Sequence, residues 1–119
     1  MSLKKIYIAH ALVGDGTPEW GDLEKNVERY LRFAAHVTNR GDVVVSWVCH
    51  YLMHIRGLTA GDHDFYLSRD KVLLKDADEL WVCSPPETSN GVRFEIDCAN
   101  EFGIPIRHEP EWDDSTYTP

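Results

Sequence analysis

Glu95 stands in SNGVRFEIDCANEFGIP, residues 89–105, about one turn inside what reads as the start of a helix and just after a strand and a loop with two prolines. A carboxylate in that place has two uses. It stabilises the helix as a first-turn acid, through the exposed N–H groups and the macrodipole, or, kept ionised by the same dipole, it serves as a nucleophile. The other side chains with chemistry to offer from loop segments are His10, Asp15, Trp47, His50 and Ser89. Ser89 is a natural N-cap whatever else it does, and Trp47 at a strand end is either core or a face on which a ring can stack. His50 and His54, four apart with His63 and Asp64 following, offer a rival chemistry, a metal site. The His-Glu-x-x-His arrangement that would make that reading specific is missing, and packing or solvated histidines explain the spacing equally well.

The hydrophobic pattern gives the elements that must position these groups. KKIYIAHAL is apolar on both faces around Ile6 and Ile8, as a central parallel strand requires, and is placed at residues 4–9. VGDGTPEWGD is loop. Asp22 then caps a helix in which Leu23, Val27, Tyr30, Leu31, Ala34 and Val37 recur at helical spacing, ended by Gly41. DVVVSW is a second buried strand, reached by a right-handed crossover. The segment 48–64 fits neither period and reads as loop with at most one short helical piece. A helix from Asp62 or Asp64 to Lys75 buries Phe65, Val72 and Leu73, and ELWVCS, 79–84, is a third strand stopped by Pro85 and Pro86. The last helix, Asn90 to Phe102, turns Ile96, Ala99 and Phe102 inward and ends at Gly103. IPI is a short final strand.

Strands alternating with helices predict an α/β fold: a three-layer, Rossmann- or flavodoxin-like open parallel sheet of four to five strands with helices on both faces. It forms one domain over residues 1–108, with 109–119 as a tail. In such sheets ligands bind beyond the carboxyl ends of the strands, where the order of connections reverses. That rule selects segments 10–21, 47–54 and 84–95.

Composition narrows the partners. At 119 residues the chain has room for a single core that buries roughly two-thirds of its unfolded surface. A formal charge of −8, from 12 Lys and Arg against 20 Asp and Glu, argues against a nucleic-acid polymer, whose phosphates are held by clustered basic side chains. A small anion remains compatible, because helix N-termini supply donors without net charge. Cys49, Cys83 and Cys98 are odd in number and form no CxxC pair, so neither a disulfide framework nor a zinc knuckle is expected, and a reducing cytoplasm fits best. No stretch approaches the ~18 apolar residues of a spanning helix, and the first residues lack the apolar run of a signal peptide.

KKIYIAH near the start, RDKVLLKDADELWVCS in the middle and SNGVRFEIDCANEFGIPI near the end resemble the nucleoside 2-deoxyribosyltransferase superfamily. The similarity touches the first strand and then runs from about residue 69 to 106, and its most specific part is Ser-x-Gly-x-x-x-Glu followed by a helix and Gly-Ile-Pro-Ile. What the resemblance implies is an N-glycosidase or deoxyribosyltransferase without a cofactor or metal, acting on deoxynucleosides or their 5′-monophosphates. Glu95 would be the nucleophile at the anomeric carbon, Asp70 the group that assists the nucleobase, and Tyr7 the residue that orients Glu95. Ser89, where transferases commonly carry an acid, is similar to the 2′-deoxynucleoside 5′-phosphate N-hydrolase branch, in which the serine holds the 5′-phosphate. With it the N–H groups of Asn90 and Gly91 would cradle the phosphate and Arg93 would supply charge, while Trp47 stacks on the base. The family usually follows its first strand with a small pair such as Gly-Pro. Here His10-Ala11 stands instead, and His10 either lines the sugar pocket or closes it.

The resemblance also implies a homo-oligomer in which a neighbour completes the pocket, with Trp112 and Tyr117 of the tail as a candidate contact. A monomer by light scattering would count against that. The alternative from another class is a nucleotide-binding or nucleotide-sensing protein that keeps the pocket without turnover. A third is an assembly protein with a vestigial site, which predicts no nucleotide binding at all.

Overall fold

The strand that opens the fold is also its centre. The computed structural model describes residues 3–14 and 20–108, and within them every side chain but that of His63. Asp15 and the tail with Trp112 and Tyr117 lie outside the described residues. Strand β1, Lys5–Ala9, is flanked by β2, Val43–Val45, on one side and by β3, Glu79–Val82, on the other, with β4, Ile106–His108, beyond β3. All pairings are parallel, with Tyr7 level with Leu80 and Ile8 level with Trp81. The result is the predicted open parallel α/β sheet, in the order β2-β1-β3-β4.

Helix α1, Leu23–Asn39, packs over β1 and β2, and its Asp22 cap accepts from the Lys25 N–H at 3.0 Å. Helix α4, Asn90–Phe102, packs over β1 and β3 and carries α3, His63–Lys75, on its flank. Side chains alternate across the sheet. Ile8 and Trp81 therefore share a face, where Trp81 meets His36 of α1, and Tyr7 faces Glu95 of α4. Ile6, Tyr7, Ile8, Leu80, Trp81 and Val82 are buried, each large apolar side chain contributing about 1.5–3 kcal/mol. Gly103 ends α4 in the left-handed region at φ 71°, a conformation that glycine adopts without Cβ strain.

Four expectations need correction. DVVVSW is not fully buried: β2 lies at the sheet edge and Val43 is exposed. The one short helical piece expected after it is Val48–Ile55, the two-turn helix α2, which lacks a side-chain cap and buries no residue fully. In α1 the expected stripe is off at Leu31, which is exposed, while Phe33 and Asn26 are buried in its place. In α3 the inward stripe is Tyr66, Asp70 and Leu74, while Phe65 lies at the surface and Val72 is 68% exposed. The last strand starts two residues later than IPI, since Pro105 has no N–H to give and enters the ladder only as acceptor for Leu80. Among the described residues no helix is long and apolar enough to cross a membrane.

Candidate functional site at the sheet switch point

From β1 the chain crosses to β2 on one side, and from β3 to β4 on the other. The loops leaving the carboxyl ends of β1 and β3 therefore part from each other and leave a crevice between them, which is where this architecture holds ligands. A hydrogen bond from the Ala11 N–H to Ser84 Oγ, at 3.0 Å, joins the two loops. The crevice holds a cavity of about 140 Å³.

Four pieces of chain wall it. The loop after β1 gives His10 and residues 12–14, the start of α2 gives Trp47 and Tyr51, α3 gives Tyr66 and Asp70, and the first turns of α4 give Ser89, Asn90, Gly91 and Glu95. Gly14 holds its loop in a form reserved for glycine: φ is +54°, and any Cβ would run into the Trp20 carbonyl. Ser89 caps α4 by accepting from the Val92 N–H at 3.3 Å. Its own O–H remains to donate, and the first N–H groups of α4 have no partner within the helix.

Glu95 is 3% exposed and sits in the buried stripe of α4 with Val92, Cys98 and Ala99. The Tyr7 hydroxyl is its neighbour from below, and neither that hydroxyl nor Glu95 Oε2 completes a hydrogen bond of regular geometry among the described residues. Burial pushes the Glu95 carboxyl well above the usual carboxylate range, and the Asp70 charge pushes the same way, while the contact with Tyr7 acts against them without prevailing. Burial therefore works against the helix dipole, on which the expectation of an ionised Glu95 relied. Glu95 is the sixth residue of α4, beyond the first turn in which the dipole acts. Burial, then Glu95 and Asp70, raise the Tyr7 phenol in turn, so it stays a donor.

Asp70, 7% exposed, meets His50 of α2, with Nε2 and Oδ1 2.6 Å apart. A carboxylate only accepts, so the imidazole carries its proton on Nε2. His54 lies on the Tyr66 ring at 4.3 Å, and Thr59 bonds the Tyr66 hydroxyl. The two histidines weighed as metal ligands are thus engaged, one with a carboxylate and one with a ring. Among the described residues no three metal-binding side chains gather.

Of the residues the sequence singled out, Glu95, Asp70, Ser89, Asn90, Gly91, His10 and Trp47 meet at this one cavity, and Tyr7 lies beneath it. Trp47 is more committed than a stacking platform needs to be: its indole N–H donates to the Ile8 carbonyl at 2.7 Å and its ring takes the edges of Tyr30 and Tyr51. Arg93 is outside, exposed and bonded to the Pro86 carbonyl and to Asn90. His50 as partner of Asp70 and Tyr66 as wall are what the sequence reading missed. The i, i+4, i+8 spacing of Tyr66, Asp70 and Leu74 was the available signal.

No curated protein and no solved structure matches the chain. A family model matches residues 4–109, which include everything from β1 to the end of β4. On that match the chain belongs to DUF7768, a family described as a domain of unknown function.

Proposed function

We propose that this chain cleaves the N-glycosidic bond of deoxynucleosides or their 5′-monophosphates and passes the deoxyribosyl group to water or to another base, with Glu95 as nucleophile. The observation that carries the reading is a buried glutamate, set over a tyrosine and beside a second carboxylate, in the switch-point cavity. The motif similarity to the nucleoside 2-deoxyribosyltransferase superfamily supports it independently. The cavity is smaller than the ~300–1,000 Å³ of ordinary ligand pockets, so it suits a sugar ring with the base and phosphate reaching its mouth. A second copy of the chain is the neighbour proposed to close that mouth.

Raised by burial, Glu95 holds its proton more tightly than an ordinary glutamate, and its oxygen must be free of that proton before attack. Asp70, the carboxylate that already acts on Glu95 electrostatically, is the acceptor we assign. The transfer arms both groups. Glu95 then bonds to C1′ as the C1′–N bond breaks, the electron pair leaves with the base, and Asp70 returns the proton to that base. Positive charge building on the sugar favours the Glu95 carboxylate at that moment. Water, or a second base, then displaces Glu95 from C1′, its proton passing to Asp70, which returned its own to the first base, and from Asp70 back to Glu95. Ser89 Oγ and the N–H groups of Asn90 and Gly91 receive the 5′-phosphate.

The test is a panel of deoxynucleosides and their 5′-monophosphates, with and without a free acceptor base, followed by chromatography of the released base. Silence across the panel from folded protein would overturn the enzyme reading. It would leave the second reading, a nucleotide-binding or sensing protein. Thermal shift with the same nucleotides then separates a sensor from a vestigial site, since a ligand specific to the folded state raises Tm.

His50 makes a narrower prediction. His50→Ala removes a charge-assisted hydrogen bond from Asp70, worth about 1.5–3 kcal/mol, so kcat is expected to fall roughly 10–100-fold with KM little changed. His50→Gln, which keeps a donor, should recover part of the loss. Equal kcat in wild type and alanine variant would remove His50 from the mechanism.

Gly91 separates phosphate recognition from folding. A Cβ there would meet only Ser89 Oγ, at 3.6 Å, and alanine gains about 1 kcal/mol of helix propensity over glycine. Gly91→Ala is therefore expected to hold or raise Tm while weakening 5′-monophosphates more than nucleosides. Unchanged preference between the two would move the phosphate elsewhere.

A further inference from the structure

His10 is the least expected residue of the cavity wall. It follows β1 directly, is 2% exposed, and places its ring against those of Trp20 and Phe33, with centroids at 6.0 and 6.2 Å. Its Nδ1 lies 2.6 Å from the Ala11 carbonyl oxygen. A carbonyl only accepts, so the ring proton is on Nδ1 and Nε2 presents a bare lone pair. Among the described residues that Nε2 has no hydrogen-bond partner, although the atom is buried. The ring nonetheless lines the cavity that holds Glu95.

A buried acceptor with nothing to accept is costly, and an apolar side chain of similar size would fill the same space without that cost. The cost is recovered when a donor enters the cavity. We propose that His10 determines specificity: Nε2 accepts a hydrogen bond from a donor on the ligand, either a sugar hydroxyl or an exocyclic amino group of the base. This rests on the nucleoside reading of the cavity. Burial pushes the imidazole down to about 4 against the bond to the Ala11 carbonyl, and the charge of Arg29, which lies over Trp20, adds to the fall, so His10 remains an acceptor near neutral pH. A lone pair repels phosphate oxygens, which turns a nucleotide's phosphate away from His10 and towards Ser89.

The experiment is calorimetric titration of wild type, His10→Phe and His10→Gln with three ligands: deoxyadenosine, its 3′-deoxy analogue, and purine 2′-deoxyriboside, which lacks the 6-amino group. In wild type one deletion, and not the other, is expected to weaken binding roughly tenfold to a hundredfold, which identifies the donor. His10→Phe should bind deoxyadenosine correspondingly more weakly and be indifferent to that same deletion. His10→Gln, which retains an acceptor, should recover part of the discrimination. If neither deletion weakens wild type, or if each costs the same in His10→Phe, the role of His10 is overturned while the nucleoside reading stands. Binding of none of the three by wild type overturns both. Should phenylalanine prevent folding, His10→Leu takes its place, and the wild-type arms decide the outcome alone.

Discussion

Glu95→Gln is expected to stop base release, with turnover at least about 10³-fold below wild type and nucleotide affinity within a few-fold. The amide has nearly the shape of the carboxyl it replaces, so the contact with Tyr7 is kept. It has no charge to place on C1′ and forms no glycosyl ester, so the double displacement has no first step. Chromatography of released base measures the first quantity and calorimetry the second. Base release at the wild-type rate would end the assignment of Glu95 as nucleophile. Loss of binding and turnover together would mean that Glu95 shapes the cavity rather than reacting in it. Asp70→Asn should be less severe, because the second carboxyl assists departure of the base and general acids contribute about 10²–10⁴-fold.

Where a segment does one job, its sequence says so. β1 is built around the core, and its two buried sides are legible, as are the extent of α1 and the Ser89 cap of α4, although the α1 stripe took in the exposed Leu31 and left out Phe33. Other misreadings gather around the cavity. The inward stripe of α3 carries a phenol and a carboxylate, Tyr66 and Asp70, because it faces a polar recess, and apolar periodicity therefore selected Phe65 and Val72 on the outer side. α2 divides its residues between the cavity and its neighbours, buries none of them fully, and so has no clean stripe to read. The positions that meet at the cavity were selected by the strand-end rule and the motif, which carry no information on depth. The charge of Glu95 depends on depth, and burial together with Asp70 reverses what its place in the helix suggested.

That reversal makes stability pH-dependent in a direction that can be measured. The folded protein holds a proton on Glu95 under conditions where the unfolded chain, with an ordinary glutamate near 4.3, has released it. The native state then binds more protons than the unfolded state, and stability falls as pH rises, by about 1.4 kcal/mol per pH unit while Glu95 stays protonated. The contribution is complete below the unfolded value and lost as pH climbs through the folded one. His10 has the opposite sign. Depressed from 6.5 to about 4, it lowers stability as pH falls through that interval and is silent above it. Tyr7, raised from 10, titrates only above that value. Above about pH 4.3 Glu95 contributes with the first sign, His10 contributes equally to wild type and to a Glu95 variant, and Glu95→Gln removes the carboxyl without changing shape. Urea unfolding across that range is expected to find the glutamine variant more stable than wild type, by a margin that grows with pH and then levels where wild type ionises. A constant margin would mean that Glu95 is already charged in the folded protein. A growing one would mean that the fold gives up stability to keep a carboxyl at the switch point, ready to lose its proton when positive charge develops beside it.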